Sequence, residues 1–378
     1  MSAPRTARGA AAARRCGRVL LLAALACAPV ALIAAGQARA ADPASADDAV
    51  AAERVPLAAR GLLIAIAAAG ERLLAVGDRG IIVFSEDRGR SWTQAEYVPS
   101  RALLTGVCFL DSQHGVAVGH DEAILTTTDA GRTWKLTHDA PQALRPLLDV
   151  WCGAGGRVIA VGAYSTYLVS DDSGASWREV KFTPAAAPAT AARAGGAHGA
   201  APAAAGAPAG DEAGGGYHLN RIVAAGAGRL YIAGEAGHLY ASDDGGATWR
   251  TLASPYEGSF FGVLPLPGEA VLAFGLRGHL YRSGDAGASW QPIETGTIAM
   301  LTGAASFDTG AVAIVGLSGV VLLSRDGGHS FALLQQADRG GLSAVVPAGE
   351  DRLAVVGEGG ARLIGLAGTR AVARSAAR

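Results

Sequence analysis

Short apolar runs alternate with glycine-rich polar links along most of this chain, a pattern that predicts β-strands joined by tight turns. In residues 73–85, LLAVGDRGIIVFS, an apolar run ends in glycine, a short polar link follows, and a second apolar run begins. The same arrangement returns at 116–128, 231–242 and 312–324, and a seventh and last copy occupies 353–365. Valine, isoleucine, leucine and tyrosine dominate these runs, so we interpret each as a β-hairpin.

A polar motif, S/T-x-D-x-G-x-S/T-W/F, follows six of the seven hairpins. Its aspartates are Asp87, Asp129, Asp172, Asp244, Asp285 and Asp326. Its closing aromatic residues are Trp92, Trp134, Trp177, Trp249, Trp290 and Phe331. All but one of the spacings are close to a single repeat period, and a constant period of this kind is typical of propellers and solenoids. Each unit accounts for four strands, here called A to D from the axis outward, so the sequence predicts an all-β fold, a seven-bladed β-propeller. A parallel β-helix, the main alternative, usually has a shorter repeat.

We expect the motif to close the turn between strands C and D. The Asp carboxylate and the first hydroxyl can accept N–H bonds within the turn, and the aromatic residue should pack between neighbouring blades. A calcium loop is the functional alternative, but such loops need several carboxylates and these turns share one. Six near-copies also favour a structural role over a catalytic one. We predict no metal and no cofactor.

The seventh unit lacks both the motif and strand D. We therefore predict that residues 55–57 supply its outer strand, and that the ring is closed by this N-terminal strand, since closure removes an exposed sheet edge. Residues 184–216 consist almost entirely of Ala, Gly and Pro without an apolar period, which predicts a disordered insert. We expect the propeller to span 41–366 and the tail 367–378 to be disordered.

The segment 1–40 has the layout of a secretory signal peptide: arginines, an apolar run, and small residues before a cleavage site at Ala40. A membrane anchor is the alternative, but Pro29 interrupts the run. This segment holds six of the 32 basic side chains and no acid, which leaves 26 basic and 33 acidic residues in 41–378. That balance does not favour nucleic acid as a partner. We expect a periplasmic or secreted protein, exported by the Sec-type route, and a monomer.

The six motifs resemble the Asp boxes of bacterial neuraminidase repeats (BNR repeats). Outside the insert, the repeated pattern of an apolar run, a VG turn, a second run and an Asp box is similar to that of the photosystem II stability and assembly factor family. This resemblance implies a non-catalytic propeller that uses an arginine patch on one face to bind a membrane-protein client. No residue marks the source as photosynthetic, so the partner predicted here is a membrane-protein complex, and a transporter component is one such candidate.

A glycoside hydrolase, sialidase-like, or a carbohydrate-binding propeller is the alternative function, because Asp boxes also occur in those proteins. Residues 54–56, RVP, are the only near match to the Arg-Ile-Pro motif of sialidases, and no Tyr–Glu pair stands out. Glycoside hydrolysis needs two carboxylates that face the bond. Acidic residues do occur on the predicted blade loops, at Asp78, Asp121, Glu122, Glu235 and Glu358. No His/Cys cluster has zinc spacing.

Arginine recurs where the chain enters strand A and in the turns between strands B and C, which share one face of a propeller. These candidate partner-binding residues are Arg60, Arg79, Arg101, Arg145, Arg277 and Arg339. Because guanidinium groups form bidentate contacts with carboxylates, the set suggests a site for an acidic partner. The alternative is that arginine is simply the usual cation of this composition.

Two cysteines, Cys108 and Cys152, remain after the predicted cleavage. Each follows a Leu-Leu pair by the same number of residues, which places both at one position on the inner strands of adjacent blades. Export permits oxidation, but equivalent positions on neighbouring strands could exceed the roughly 7 Å that bridging allows between Cα atoms. The sequence leaves both a disulfide and two free thiols open.

Overall fold

The chain folds into seven antiparallel β-sheets arranged as the blades of a ring. The computed structural model describes residues 50–187, 216–226 and 228–366. Six sheets have four strands and the seventh has three. Inner strands of consecutive blades contact each other, and the inner strand of blade 7 contacts that of blade 1, which closes the ring. The predicted all-β, seven-bladed β-propeller is confirmed.

The strands follow one another in each blade from the axis outward. Blade 1 consists of β1 Leu63–Ala69, β2 Arg72–Gly77, β3 Ile82–Ser85 and β4 Thr93–Gln94. Blade 2 consists of β5 Leu104–Phe109, β6 Gly115–Gly119, β7 Ile124–Thr127 and β8 Lys135–His138. Blade 3 consists of β9 Leu147–Cys152, β10 Val158–Gly162, β11 Tyr167–Ser170 and β12 Arg178–Glu179. Blade 4 consists of β13 Leu219–Ala224, β14 Leu230–Gly234, β15 Leu239–Ser242 and β16 Arg250–Thr251, and blade 5 of β17 Phe260–Pro265, β18 Val271–Gly275, β19 Leu280–Ser283 and β20 Gln291–Pro292. Blade 6 consists of β21 Leu301–Ser306, β22 Val312–Gly316, β23 Val320–Ser324 and β24 Ala332–Gln335. Blade 7 consists of β25 Leu342–Pro347, β26 Arg352–Gly357 and β27 Arg362–Gly365.

Helical structure within the described residues is limited to short 3₁₀ segments. They span Ala58–Arg60, Asp78–Gly80, His120–Glu122, Pro141–Ala143, Ala154–Gly156, Ala163–Ser165, Leu276–Gly278 and Leu317–Gly319. All except Ala154–Gly156 lie in B–C turns or in the chain that enters strand A, at one end of the sheets. No helix in this part of the chain has the length and apolar character to cross a membrane.

The middle strands of each blade are buried on both sides, which explains their unbroken apolar sequences. Strand β10, VIAVG, and strand β22, VAIVG, are buried at every position. The cores lie between blades: Leu74 and Phe84 of blade 1 pack with Leu125 and Trp134 of blade 2. Because both faces of each sheet meet another sheet, inward and outward positions do not alternate in polarity, and burial of this apolar area is the main force that holds the ring together.

The prediction that residues 55–57 form the outer strand of blade 7 is wrong. Among the described residues, no strand pairs with the outer edge of β27, and Val55 and Leu57 are exposed. The segment is instead held by blade 1, because the Gln94 side chain accepts the Val55 N–H at 2.9 Å and donates to the Glu53 carbonyl at 2.8 Å.

Closure nevertheless uses the residues that follow this segment. Ala58 is buried between blades 7 and 1, and the Ala59 carbonyl accepts the Ala361 N–H at 2.9 Å. The ring is therefore closed by packing between β1 and the inner strands of blade 7, with one main-chain bond from the 3₁₀ turn, and not by a shared sheet.

A disulfide bond joins Cys108 to Cys152, with 5.7 Å between the Cα atoms. Leu104 pairs with Gly119 and Leu147 with Gly162, so these two leucines are equivalent in blades 2 and 3. Cys108 lies four residues after its leucine and Cys152 lies five after its own. The cysteines are thus offset by one position, and the distance expected for equivalent positions does not apply to them.

Several predicted segments lie outside the described residues: the signal peptide and its cleavage site, most of the insert, and the tail 367–378. Part of the insert range is described, since Ala185 pairs with Arg250 of blade 4 and exchanges main-chain bonds with Trp249 and Thr251. The chain that leaves blade 3 therefore extends along the outer strand of blade 4 as far as Ala185.

Candidate partner-binding face

The pairing register separates the connections of every blade onto two opposite faces. The start of strand A pairs with the end of strand B, as in Leu63 with Gly77 and Leu301 with Gly316. Segments that enter strand A and the B–C turns therefore share one face, here called the arginine face. The A–B loops and C–D turns share the other, here called the Asp-turn face. The six candidate arginines all lie on the arginine face.

On the Asp-turn face, each motif aspartate is saturated by donors from its own turn. Ser242 Oγ donates to Asp244 Oδ1 at 2.7 Å, the Thr248 N–H donates to the same oxygen at 2.9 Å, and Thr248 Oγ1 donates to Oδ2 at 2.6 Å. The Gly246 N–H completes the turn by donating to Ser242 Oγ. The other five turns repeat this network, with hydroxyl-to-Oδ2 distances of 2.5–2.6 Å.

Because these donors stabilise the carboxylate form, they lower the pKa of the turn aspartates. The hydroxyl bond from Thr248 is the largest cause that brings the pKa of Asp244 to about 2, and Ser91 does the same for Asp87. Both oxygens of each carboxylate are occupied by N–H and O–H donors, and no three His, Cys, Asp or Glu side chains converge as metal ligands within the described ranges. The chemistry of this donor set fits a hairpin cap and not a calcium loop.

The aromatic residue of each motif packs against the preceding blade. Trp134 is buried against Leu74 of blade 1, and Trp249 is buried in a cluster with Ile159 and Tyr167 of blade 3. Tyr167 receives the Trp249 indole N–H at 3.1 Å and donates to the Gly246 carbonyl at 2.8 Å. The motif thus fixes both its own turn and one blade interface.

The six arginines of the opposite face fall into three groups. In the first, Arg145 is enclosed in ion pairs, and Arg101 donates to the Ala51 carbonyl at 2.8 Å with Glu53 at 3.7 Å. The second consists of Arg79, which is largely exposed and whose ion-pair partner among the described residues is its neighbour Asp78, at 3.0 Å.

The third group is the one available to a partner. It contains Arg60, Arg277 and Arg339, for which the described part of the chain provides no side-chain hydrogen bond or ion pair. The structure therefore places all six residues on one face but leaves three guanidinium groups uncommitted.

Arg145 belongs to a partly buried charge cluster with Glu122, Glu179 and His138. Its Nε lies 2.7 Å from Glu122 Oε1, and its Nη1 lies 2.7 Å from Glu179 Oε1. The Glu122 side chain is only 3% exposed, and His138 contributes a second contact at 3.4 Å. The bond to Glu179 is the largest cause that raises the pKa of Arg145, and the same bond lowers the pKa of Glu179. We interpret Arg145 as the counter-ion of Glu122 and not as a free contact residue.

A second property of the arginine face was not anticipated from the sequence. Apart from Tyr97, which pairs with Thr133 beside the outer strand of blade 2, the large apolar side chains exposed in the described ranges lie on this face or in the N-terminal segment attached to it. They are Val50, Val55, Leu57, Leu62, Leu144, Tyr164, Tyr217, Ile298 and Leu317. Ile298 is 87% exposed and Leu144 is 77% exposed. The sequence does contain a signal, because these large apolar residues occur within otherwise polar connections. Comparison of the repeats does not reveal it, since the repeats do not share these positions.

An ion pair also lies on the inner strands, beside the axis of the ring. Asp149 of blade 3 is buried and accepts the Ile222 N–H at 2.9 Å, and Arg221 Nη1 of blade 4 lies 3.7 Å from its Oδ1. Burial raises the pKa of Asp149, and the Arg221 charge opposes that rise. Arg221 also reaches the Thr302 carbonyl of blade 6 at 3.4 Å. The pair connects inner strands of three blades.

The fold and this face define the chain as a seven-bladed β-propeller with an exposed, arginine-bearing and apolar face. No protein-family model matches the sequence, and no curated protein matches it.

Similar solved structures include two of the protein YCF48. One, YCF48 bound to a D1 peptide, has a TM-score of 0.60 and 15% identity and covers 83% of this chain and 95% of that one. YCF48 from Cyanidioschyzon merolae has a TM-score of 0.61 and 15% identity, with 83% and 98% covered. The GH74 xyloglucanase from Xanthomonas campestris has a TM-score of 0.60 and 16% identity, covering 82% of this chain but 53% of that enzyme. At these identities the matches establish the fold.

Proposed function

We propose that this chain is an exported, non-catalytic propeller that binds a segment of a membrane-protein or envelope complex through its arginine face and assists the assembly of that complex. The observation that carries the proposal is the coincidence on one face of three uncommitted guanidinium groups with exposed apolar side chains. Isolated exposed apolar residues need no explanation, whereas their concentration on one face of a molecule is typical of an interaction surface.

The fold match supports this proposal. One similar propeller, YCF48, has been solved with a D1 peptide bound, so a propeller of this shape can hold a polypeptide segment of another protein. The signal peptide that segment 1–40 resembles, together with the disulfide, favours an oxidising compartment outside the cytoplasm. The proposed location is the periplasm or the exterior.

Crosslinking in intact cells followed by affinity capture tests the proposal. The decisive variant is Arg60→Ala/Arg339→Ala, which removes two uncommitted charges of the arginine face. Its matched control is Arg90→Ala/Arg325→Ala, which removes two exposed arginines of the Asp-turn face. We expect the wild type and the control to capture the same membrane or envelope protein, and the arginine-face variant to lose most of it. Equal capture by both variants would show that the arginine face is not the binding surface.

Hydrolysis of a polysaccharide is the second candidate, because the xyloglucanase shares the fold. The match spans about half of that enzyme's chain, so it concerns the propeller fold and not the whole enzyme. Several loop carboxylates that could act are engaged: Glu122 pairs with Arg145, Asp78 pairs with Arg79, and Glu358 accepts the Gly341 N–H at 3.0 Å. We expect no release of reducing sugar from xyloglucan by the purified protein, and measurable release would favour the hydrolase.

A further inference from the structure

The segments that enter blades 3 and 4, together with the B–C turn of blade 3, carry an apolar patch on the arginine face, defined by Leu144, Tyr164 and Tyr217. Leu144 directly follows the 3₁₀ segment Pro141–Ala143 in the loop into blade 3, Tyr164 is the tip of the B–C turn of that blade, and Tyr217 leads into blade 4. Their exposed fractions are 77%, 53% and 36%. The Ser165 N–H donates to the Tyr217 carbonyl at 2.9 Å, which fixes the turn that carries Tyr164 against the segment that carries Tyr217.

Histidine rings hold both tyrosines in place. Tyr164 meets His218 edge to face, with ring centroids 5.1 Å apart, and Tyr217 stacks on His238 at 3.9 Å. Each tyrosine therefore has one side supported by the protein and another open to solvent. Rigid aromatic surfaces of this kind lose little conformational entropy when they are covered, which makes them effective anchors in protein interfaces.

The backbone beneath the patch is strained. Tyr164 and Ser165 have consecutive positive φ angles of 55° and 59°, and Leu144 has a φ of 51°. Large side chains are unfavourable in this left-handed region, and turns of this type are formed best by Asn-Gly. In blade 4 the corresponding turn uses Ala236 and Gly237. The most exposed apolar side chains of the patch thus stand at positions where glycine would stabilise the fold.

The occupant of the patch follows from the chemistry of the face around it. Arg60, Arg277 and Arg339 are complementary to carboxylates, and the patch is complementary to apolar or aromatic side chains. We infer that the arginine face binds one extended polypeptide segment of the partner, whose carboxylates contact the arginines and whose apolar or aromatic side chains cover the patch. This inference rests on the proposed function, and it names the class of ligand and its apolar contact site.

The first experiment identifies the ligand class without a known partner. A phage-displayed library of random peptides of about 16 residues, long enough to span about 50 Å when extended, is panned on the immobilised oxidised protein. We expect the selected sequences to combine aromatic or leucine residues with Asp and Glu. Selection of no peptide, or of acidic peptides without apolar residues, would overturn the inference.

The second experiment measures the affinity of the best selected peptide by fluorescence anisotropy for three glycine variants. Leu144→Gly and Tyr164→Gly each remove a patch side chain and relieve a positive φ. Ala236→Gly relieves the same strain in blade 4 without removing a large side chain, so it is the matched control. We expect all three to melt at or above the wild-type temperature, the two patch variants to bind at least about tenfold more weakly, and the control to bind as the wild type does.

The outcomes separate this inference from the proposed function. Loss of peptide binding in Arg60→Ala/Arg339→Ala without loss in Tyr164→Gly would refute the patch and leave the proposed function intact. The reverse result would support the patch and refute the role of the arginines. If neither variant weakens binding, both fail. Binding of xyloglucan oligosaccharides that Tyr164→Gly abolishes would overturn the inference and assign the patch to carbohydrate.

Discussion

The disulfide between Cys108 and Cys152 joins the inner strands of blades 2 and 3 with a sequence separation of 44 residues. A cross-link of that span removes about 13 cal/mol/K of entropy from the unfolded chain, which corresponds to about 4 kcal/mol at 25 °C. We therefore expect reduction of this bond to lower the free energy of unfolding by up to about 4 kcal/mol while the native fold persists, since both cysteines also pack in the interface between the two blades.

Equilibrium unfolding in urea, followed by tryptophan fluorescence and far-UV circular dichroism, measures this effect. With a denaturant dependence of about 3 kcal/mol/M, the midpoint of the reduced protein should fall by about 1.3 M. The variant Cys108→Ala/Cys152→Ala should unfold near the reduced wild type, and reductant should not shift it further. Coincidence of the two spectroscopic transitions shows whether a two-state treatment applies.

Two results would refute the reasoning. If oxidised and reduced wild type unfold at the same midpoint, the cross-link does not constrain the unfolded chain as the entropy argument requires. If only the double variant is destabilised, the contribution comes from packing of the sulfur atoms between the blades and not from the covalent bond.

Three further predictions concern charges in the structure. Arg145→Ala should destabilise the fold by about 3 kcal/mol in thermal or urea unfolding, because it leaves Glu122 buried without its guanidinium partner; an unchanged stability would restore Arg145 as a surface contact. Arg221→Ala should raise the already elevated pKa of Asp149. The loss of stability in this variant should then be smaller at pH 5 than at pH 8, because protonation of Asp149 removes the unpaired buried charge. In an Asp149→Asn background the pH difference should disappear. Asp244→Ala should lower the free energy of unfolding by about 2 kcal/mol near pH 7 and leave peptide binding unchanged. The pKa of this carboxyl in the folded protein is about 2 and lies below its unfolded value. Its contribution to stability should therefore be present above pH 4 and be lost as the pH falls towards 2.

The sequence predicts the fold well because the fold is repeated. The constant repeat period aligns turns and hairpins of all blades, so an uncertain assignment in one unit is supported by five or six others. The same strategy failed where the chain departs from repetition. The repeat pattern predicts a strand at residues 55–57 because blade 7 lacks a fourth one, whereas the structure holds that segment through Gln94, a single side chain of blade 1. Nothing in the repeat pattern records such a contact.

The candidate site was predictable only in part, for a related physical reason. The register of a propeller placed the arginines on one face, but it could not show that Glu122 is buried beside Arg145 and neutralises it, because that pairing depends on the path of two loops. The cysteines illustrate the same limit on a smaller scale. An offset of one residue between two inner strands decides whether a bond forms, and spacing from a leucine pair did not resolve it.

The placement of exposed apolar side chains supports a division of roles between the two faces, whereas backbone strain alone does not, because non-glycine residues with positive φ occur on both. On the Asp-turn face every motif carboxylate is saturated by its own turn, and the aromatic residue packs against the preceding blade, so substitutions there should alter stability alone. On the arginine face, Tyr164 and Leu144 combine an unfavourable backbone conformation with an exposed apolar side chain, and neither feature stabilises the isolated protein. Binding to a partner can offset this cost, whereas folding alone cannot, because a side chain that stays exposed gains no burial energy. The arginine face is therefore where a partner should be sought.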